Sequence, residues 1–304
     1  MSENNEAIHP VPPAGGEDIE ITRDLIFAVH DGVELKGDLY TPAGPGPFPT
    51  LALFYGGGWQ RGSKEQWARW ATFLAQHGIA AFALSYRLSA PGKPTFYESL
   101  HDVRCGVQYL RGRAAEIKVD PERIGGMGTS AGAHLLAMLA LAGDNEAFAD
   151  STDNDPYSQL SAKVNVAICV AGIYDVIKHW EHDQLTRPND HITEKFLGGT
   201  PMNLRELFYL ASPIYHASTQ NARGTKWLVS YGTQDDVVDH REQSEALVHH
   251  LKRAGALVRP LAMEGANHFW LGDTGPEEGR FNPIFGAELL LFLQNWSGWG
   301  PSAH

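Results

Sequence analysis

The chain has 304 residues, of which 43% are hydrophobic and 20% charged, enough for one large α/β domain with a sizeable core. Its formal net charge of −12 argues against nucleic acid and anionic membrane surfaces as partners. No apolar run approaches the length of a membrane span, and the polar start from Met1 to Gly16 lacks the basic and apolar regions of a signal peptide, so a cytoplasmic protein is expected.

Residues 1 to about 20 read as a flexible leader, and 21–304 as a single domain. Leu25–Val29 and Val33–Tyr40 are strand-like and flank Asp31-Gly32, a two-residue hairpin signal, so an antiparallel pair opens the sheet. Thr50–Tyr55 is a nearly continuous apolar run, as expected of a strand buried on both faces, and it ends in Gly56-Gly57-Gly58-Trp59. Strands and helices then alternate. Helices are expected over 64–77, 97–114, 133–141, 240–254 and 285–296, and strands over 79–85, 124–129, 164–171, 226–231 and 257–263. This order predicts a mostly parallel sheet with antiparallel first strands and helices on both faces, its sites at the carboxyl ends of the strands. Residues 173–222 interrupt the alternation and are expected to form a partial lid. The two cysteines, Cys105 and Cys169, lie in apolar periodic segments and read as buried free thiols.

The chemistry gathers around Gly128-Thr129-Ser130-Ala131-Gly132, which sits between a strand and an apolar helix. This is the pattern of a nucleophile elbow, where glycines permit the tight corner that exposes a serine hydroxyl. Gly126, Gly128 and Ala131 also fit a G-x-G-x-x-A dinucleotide fingerprint, but the motif lies far from the first strand and no acid-ending strand follows it. A serine nucleophile needs a base near neutral pKa and a carboxylate to orient that base. Both follow in the expected chain order. Asp235, with Asp236 as the alternative, lies in the turn after the 226–231 strand, while Asp239 suits a helix N-cap. His268 lies in the loop after the last strand, beside Phe269 and Trp270. The N–H groups of Gly57, Gly58 and Ala131 are the expected oxyanion donors. Tyr55, Trp59, Trp180 and Phe269 are the candidate substrate-pocket residues. The best metal cluster, His179-x-x-His182 with Asp190 and His191, matches no strong zinc spacing, so no metal is expected.

Taken together, these motifs resemble the α/β-hydrolase carboxylesterases of the hormone-sensitive-lipase and BD-FAE type, which extend to arylformamidases. The resemblance runs from about Leu25 to Trp296. It rests on Tyr55-Gly56-Gly57-Gly58-Trp59, Ser85-Tyr86-Arg87-Leu88, Asp120-Pro121-Glu122-Arg123-Ile124, the Ser130 elbow, Ser212-Pro213 and the Asp235 and His268 turns. It implies an α/β-hydrolase fold and hydrolysis of small-molecule esters, or of formamides and amides of an aromatic substrate, without a cofactor. A non-catalytic ligand-binding member of the fold would predict a broken triad. The family's glycine loop usually opens with a His that braces it; here Tyr55 stands in that place. Oligomeric state, a homodimer included, is left open by the sequence.

Overall fold

The computed structural model describes residues 18–145, 148, 155–272 and 275–299. Most of the expected leader lies outside these residues. Its last two positions already belong to the first strand, β1 (Ile19–His30), which is longer than its apolar pattern suggests. The Asp31-Gly32 turn joins it to β2 (Val33–Pro42), with His30 paired to Val33. The other strands are β3 (Phe48–Phe54), β4 (Ala80–Leu84), β5 (Val119–Thr129), β6 (Val166–Val170), β7 (Lys226–Gly232) and β8 (Leu257–Met263). They form an eight-stranded sheet in the order β1-β2-β4-β3-β5-β6-β7-β8. The β1–β2 and β2–β4 pairs are antiparallel and all later pairs parallel, as expected.

Two adjacent glycines of β5 show how the helices are layered. Successive strand residues point to opposite faces. A Cβ on Gly125 would meet Trp299 at 2.9 Å, and one on Gly126 would meet Leu136 at 2.4 Å. Trp299 lies two residues past the end of the closing helix, whereas Leu136 belongs to the helix after the elbow, so these two helices cover opposite faces of the sheet. The helices of the repeat are α1 (Ala68–Gln76), α2 (Phe96–Gly112) and α3 (Ala131–Ala142). α3 is buried along its whole length against β5 and β6.

The 173–222 stretch folds as α4 (Val176–Thr186), α5 (Ile192–Leu197), α6 (Arg205–Leu210), a 3-10 turn (Pro213–His216) and α7 (Thr219–Ala222). α8 (Ala246–Arg253) and α9 (Asn282–Ser297) complete the chain, with α1 and α9 touching through Trp70 and Phe285.

Two expected helices open irregularly. The first begins with a 3-10 turn, Lys64–Trp67, where buried Lys64 bonds to Asp38 of β2 at 2.7 Å. The other begins with a π turn, Arg241–Glu245, which points Gln243 inward. There the Gln243 amide accepts from the N–H groups of Tyr174 and Asp175 and donates to the Asp175 carbonyl. Asp239 accepts from the N–H groups of Arg241 and Glu242, the capping role its position suggested. Both cysteines are buried and free. No helix among the described residues is long and apolar enough to cross a membrane.

Candidate active site

Ser130 occupies the corner between β5 and α3, with φ 50° and ψ −118°. A non-glycine residue holds such a conformation only where its surroundings over-determine it. Here its N–H donates to the Val170 carbonyl at 2.8 Å, which fixes the corner to β6. The elbow glycines are required by close approach. A Cβ on Gly132 would lie 2.1 Å from the Phe54 carbonyl oxygen, and one on Gly128 would lie 2.6 Å from Gly132.

The β7 and β8 exits interlock, and this brings acid and histidine together. Gln234 N–H donates to the Ala266 carbonyl at 2.9 Å, and Gly265 N–H to the Thr233 hydroxyl at 2.9 Å. Asp235 then accepts at Oδ1 from the N–H groups of Val237 and Val238, at 2.9 and 2.8 Å. Its Oδ2 faces His268 Nδ1 at 2.8 Å. His268 Nε2 lies 3.1 Å from Ser130 Oγ. Because the carboxylate can only accept, Nδ1 carries the proton and Nε2 presents its lone pair to the serine hydroxyl. Of the two candidate acids Asp235 makes this contact, while Asp236 is exposed. The Asp235 and His268 side chains are almost wholly buried.

This hydrogen-bonded chain borders a cavity of about 450 Å³. Gly57 and Gly58 line it, both at positive φ. Ala131 lies directly behind Ser130 as the first residue of α3, where an N–H has no intrahelical acceptor. Tyr55 replaces the expected histidine brace with a reciprocal pair. Its ring stacks on Tyr86 at 4.3 Å, its hydroxyl donates to the Tyr86 carbonyl, and the Tyr86 hydroxyl donates to the Tyr55 carbonyl. Burial raises the Tyr55 phenol to about 12, so it stays a donor. Trp59, fully buried at the cavity wall, donates its indole N–H to His134 Nδ1 and stacks on Phe196. Phe269 lies at the cavity and is 71% exposed.

Trp180 is not among the residues lining the cavity; its indole N–H donates to Glu194 at 2.9 Å, away from the site. The residue before it, His179, takes that place, a rotation of one position on α4. Burial is the main cause holding His179 down to about 3, with the charge of Arg187 adding to it, so the imidazole is neutral. Arg187 also lines the cavity, bonded to Asp183 and to the Val237 carbonyl. His179, His182, Asp190 and His191 do not converge as metal ligands: His179 faces Asp183, and His191 bonds to Glu194. His179, Arg187 and Ile192 carried no signal in the sequence as wall residues, because which side of a half-buried helix faces a cavity depends on its docking.

A family model described as BD-FAE matches residues 37–251. The chain belongs to the BD-FAE family. This BD-FAE protein is 26% identical to a probable isoprenylcysteine alpha-carbonyl methylesterase of Arabidopsis thaliana over 87% of its own length and 54% of that protein's. It is 29% identical to esterase LipC of Mycobacterium tuberculosis over 76% of its own length and 56% of that protein's. It thus spans little more than half the length of these two relatives. It is also 26% identical to kynurenine formamidase of Danio rerio over 81% of its own length and 74% of that protein's. Among solved structures, a butyrate-bound thermophilic esterase of Thermogutta terrifontis superposes with a TM-score of 0.72 at 26% identity, covering 96% of this chain and 97% of that one.

Proposed function

We propose that this protein is a serine carboxylesterase acting on small esters through an acyl-enzyme. The observation that carries the reading is the single chain of contacts from Ser130 Oγ through His268 to Asp235, at 3.1 and 2.8 Å. A serine hydroxyl, an imidazole with its lone pair aimed at it, and a buried carboxylate behind are the parts acyl transfer needs. The esterase relatives and the superposed esterase support the same reading.

In this mechanism Ser130 Oγ attacks the ester carbonyl while His268 Nε2 takes its proton. Asp235 holds the resulting imidazolium. The N–H groups of Gly57, Gly58 and Ala131 receive the negative charge on the carbonyl oxygen. Collapse expels the alkoxide, which takes the proton back from Nε2. Water then attacks the acyl-serine with the same proton transfers, releasing the acid and restoring Ser130. A cavity of about 450 Å³ beside Ser130 is of a size that holds a small-molecule ester.

The test is hydrolysis of p-nitrophenyl acetate, butyrate and octanoate by wild type and by Ser130→Ala, with mass spectrometry after paraoxon treatment. Turnover of the short esters that is lost in the variant, and a phosphoryl adduct on Ser130, are expected. A folded wild type with neither turnover nor adduct would overturn the assignment.

A second reading is hydrolysis of an N-formylated aromatic amine by the same residues. It has support in the formamidase relative and in one structural observation. Arg187 lines the cavity together with the aromatic rings of Trp67 and Phe269, and among the described residues its buried Nε has no hydrogen-bond partner. A substrate with a ring and a carboxylate would set its ring against Trp67 or Phe269 and its charge near the Arg187 guanidinium. Comparing kcat/KM for N-formylanthranilate and phenyl acetate in wild type and Arg187→Met separates the readings. A selective loss on the anionic formamide supports the second, and equal losses remove it.

A further inference from the structure

His30, His101, Cys105 and Asp155 bring four ligand atoms of three kinds to one point. His30 is the last residue of β1, His101 and Cys105 are one turn apart on α2, and Asp155 lies between α3 and β6. Their donor atoms all lie within 4.8 Å of one another. Asp155 Oδ2 is 2.9 Å from His101 Nε2, 3.1 Å from Cys105 Sγ and 3.2 Å from His30 Nε2. Cys105 Sγ is 3.4 Å from His101 Nε2 and 4.0 Å from His30 Nε2. All four side chains are at least nine-tenths buried. None of them lines the cavity at Ser130.

We propose that these four residues form a structural zinc site that clasps the end of the first hairpin to α2 and to the segment beyond α3. Tetrahedral zinc holds sulfur at about 2.3 Å and nitrogen or oxygen at about 2.0–2.2 Å, which sets ligand atoms about 3.3–3.6 Å apart. The separations from Asp155 and Cys105 run from 2.9 to 4.0 Å and bracket that interval, and no pair exceeds 4.8 Å, so side-chain shifts of up to about 1 Å close the site. A set mixing one thiolate, two imidazoles and one carboxylate suits zinc better than magnesium or calcium, which take all-oxygen sets. Four protein ligands in a buried setting leave no open position, the mark of a structural rather than a catalytic ion.

The surroundings fit a ligand shell. His30 Nδ1 donates to Asp102 at 2.8 Å, which leaves the Nε2 lone pair directed at the cluster. Asp102 is fully buried and held in turn by the Arg87 backbone N–H at 2.7 Å and guanidinium at 2.8 Å. An imidazole oriented by a fixed carboxylate is the arrangement that metal-bound histidines adopt. Zinc entry balances simply: the Cys105 thiol gives its proton to solvent, both imidazoles bind neutral, and Asp155 binds as the carboxylate. The same contacts would also fit a protonated network in which Asp155 accepts from both imidazoles and the thiol, and metal content separates the two.

The test uses the full chain. After incubation with zinc chloride and desalting, elemental analysis is expected to find about one zinc per chain in wild type and in Cys169→Ser, and none in Cys105→Ser. Cobalt chloride in place of zinc is expected to give intense tetrahedral d–d bands and a thiolate charge-transfer band, kept in Cys169→Ser and lost in Cys105→Ser. Asp102→Asn is expected to weaken zinc binding about 10–100-fold through the orientation of His30. Circular dichroism checks that each variant is folded. Should Cys105→Ser not fold, the cobalt spectra of wild type and Cys169→Ser decide alone. A wild type that retains no zinc and gives no cobalt–thiolate band would overturn the site in favour of the protonated network. Equal metal retention by a folded Cys105→Ser would overturn it in favour of binding elsewhere.

Discussion

The Trp59 indole N–H donates to His134 Nδ1 at 3.2 Å, and the opposite nitrogen of that imidazole donates to the Ala211 carbonyl at 2.8 Å. An indole can only donate and a carbonyl can only accept, so the His134 tautomer is fixed. One buried histidine therefore links the glycine loop, α3 and the 173–222 stretch. Replacing Trp59 by Phe keeps a ring against Phe196 but strands the Nδ1 acceptor. A loss of about 1–3 kcal/mol in stability is expected, measured by urea unfolding. A drop of roughly tenfold or more in kcat should accompany it, as Gly57 and Gly58 lose their anchor. Unchanged kcat with reduced stability would restrict Trp59 to holding the fold.

Acid should unfold the protein through two buried histidines. Burial holds His134 down to about 4 and His179 to about 3, each from an ordinary 6.5. Below pH 6.5 the unfolded chain protonates both positions, while the native chain leaves them neutral. Their contribution is fully present above pH 6.5 and is lost as pH falls toward 4 and then 3. The slope is up to about 1.4 kcal/mol per pH unit for each histidine. Urea midpoints between pH 7 and 4.5 would show it, and His134→Gln should flatten the profile. A profile equally steep in that variant would assign the loss to other groups.

Ser130 stores strain that the fold does not need. Its φ of 50° and ψ of −118° suit glycine better than any side-chain residue. Ser130→Gly should therefore be more stable than Ser130→Ala by about 1 kcal/mol, both being inactive. Thermal melts of the pair test this without reference to turnover. Equal stability would show that the corner is held at little cost.

Asp235 and Asp236 are neighbours with opposite fates. Asp235→Asn removes the carboxylate that fixes the His268 tautomer, and kcat should fall by about 10⁴-fold. Asp236 is exposed, so Asp236→Asn should leave kcat within a factor of about two. Steady-state kinetics of both variants on p-nitrophenyl butyrate decide between them. The reverse ranking would exchange their roles.

What the sequence discloses here follows the reach of each interaction. The elbow is legible because part of its cause is local: a Cβ on Gly128 would meet Gly132 within one turn, although Gly132 crosses Phe54 and Ser130 bonds to Val170. The parallel run from β5 to β8 and the Asp235 and His268 turns are legible because chain order there mirrors position in the sheet, whereas the exchange of β3 and β4 is not. Tyr55 reads as a pocket residue, and it lines the cavity, but its bracing role is hidden because its partner Tyr86 follows a different strand. Trp180 and His179 are adjacent in sequence, yet only one faces the cavity, and the docking of α4 decides which. The His30–Asp155 cluster joins positions 125 residues apart, and no spacing rule spans that distance.

The residues proposed to break the bond, Ser130, Asp235 and His268, stand on turns that leave the central strands. Part of the cavity wall, His179, Arg187 and Ile192, stands on the added 173–222 stretch, while the rest comes from the glycine loop, the strand ends and the His268 turn. Several clasps join these parts, among them Gln243 on Tyr174 and Asp175, Arg187 on the Val237 carbonyl and His134 on the Ala211 carbonyl. The proposed triad and one side of the cavity thus come from separate stretches of chain. Drift within the added stretch can reshape one side of the cavity while the Ser130, Asp235 and His268 turns stay constant, provided these clasps are kept, and that stretch is the natural unit to graft between relatives.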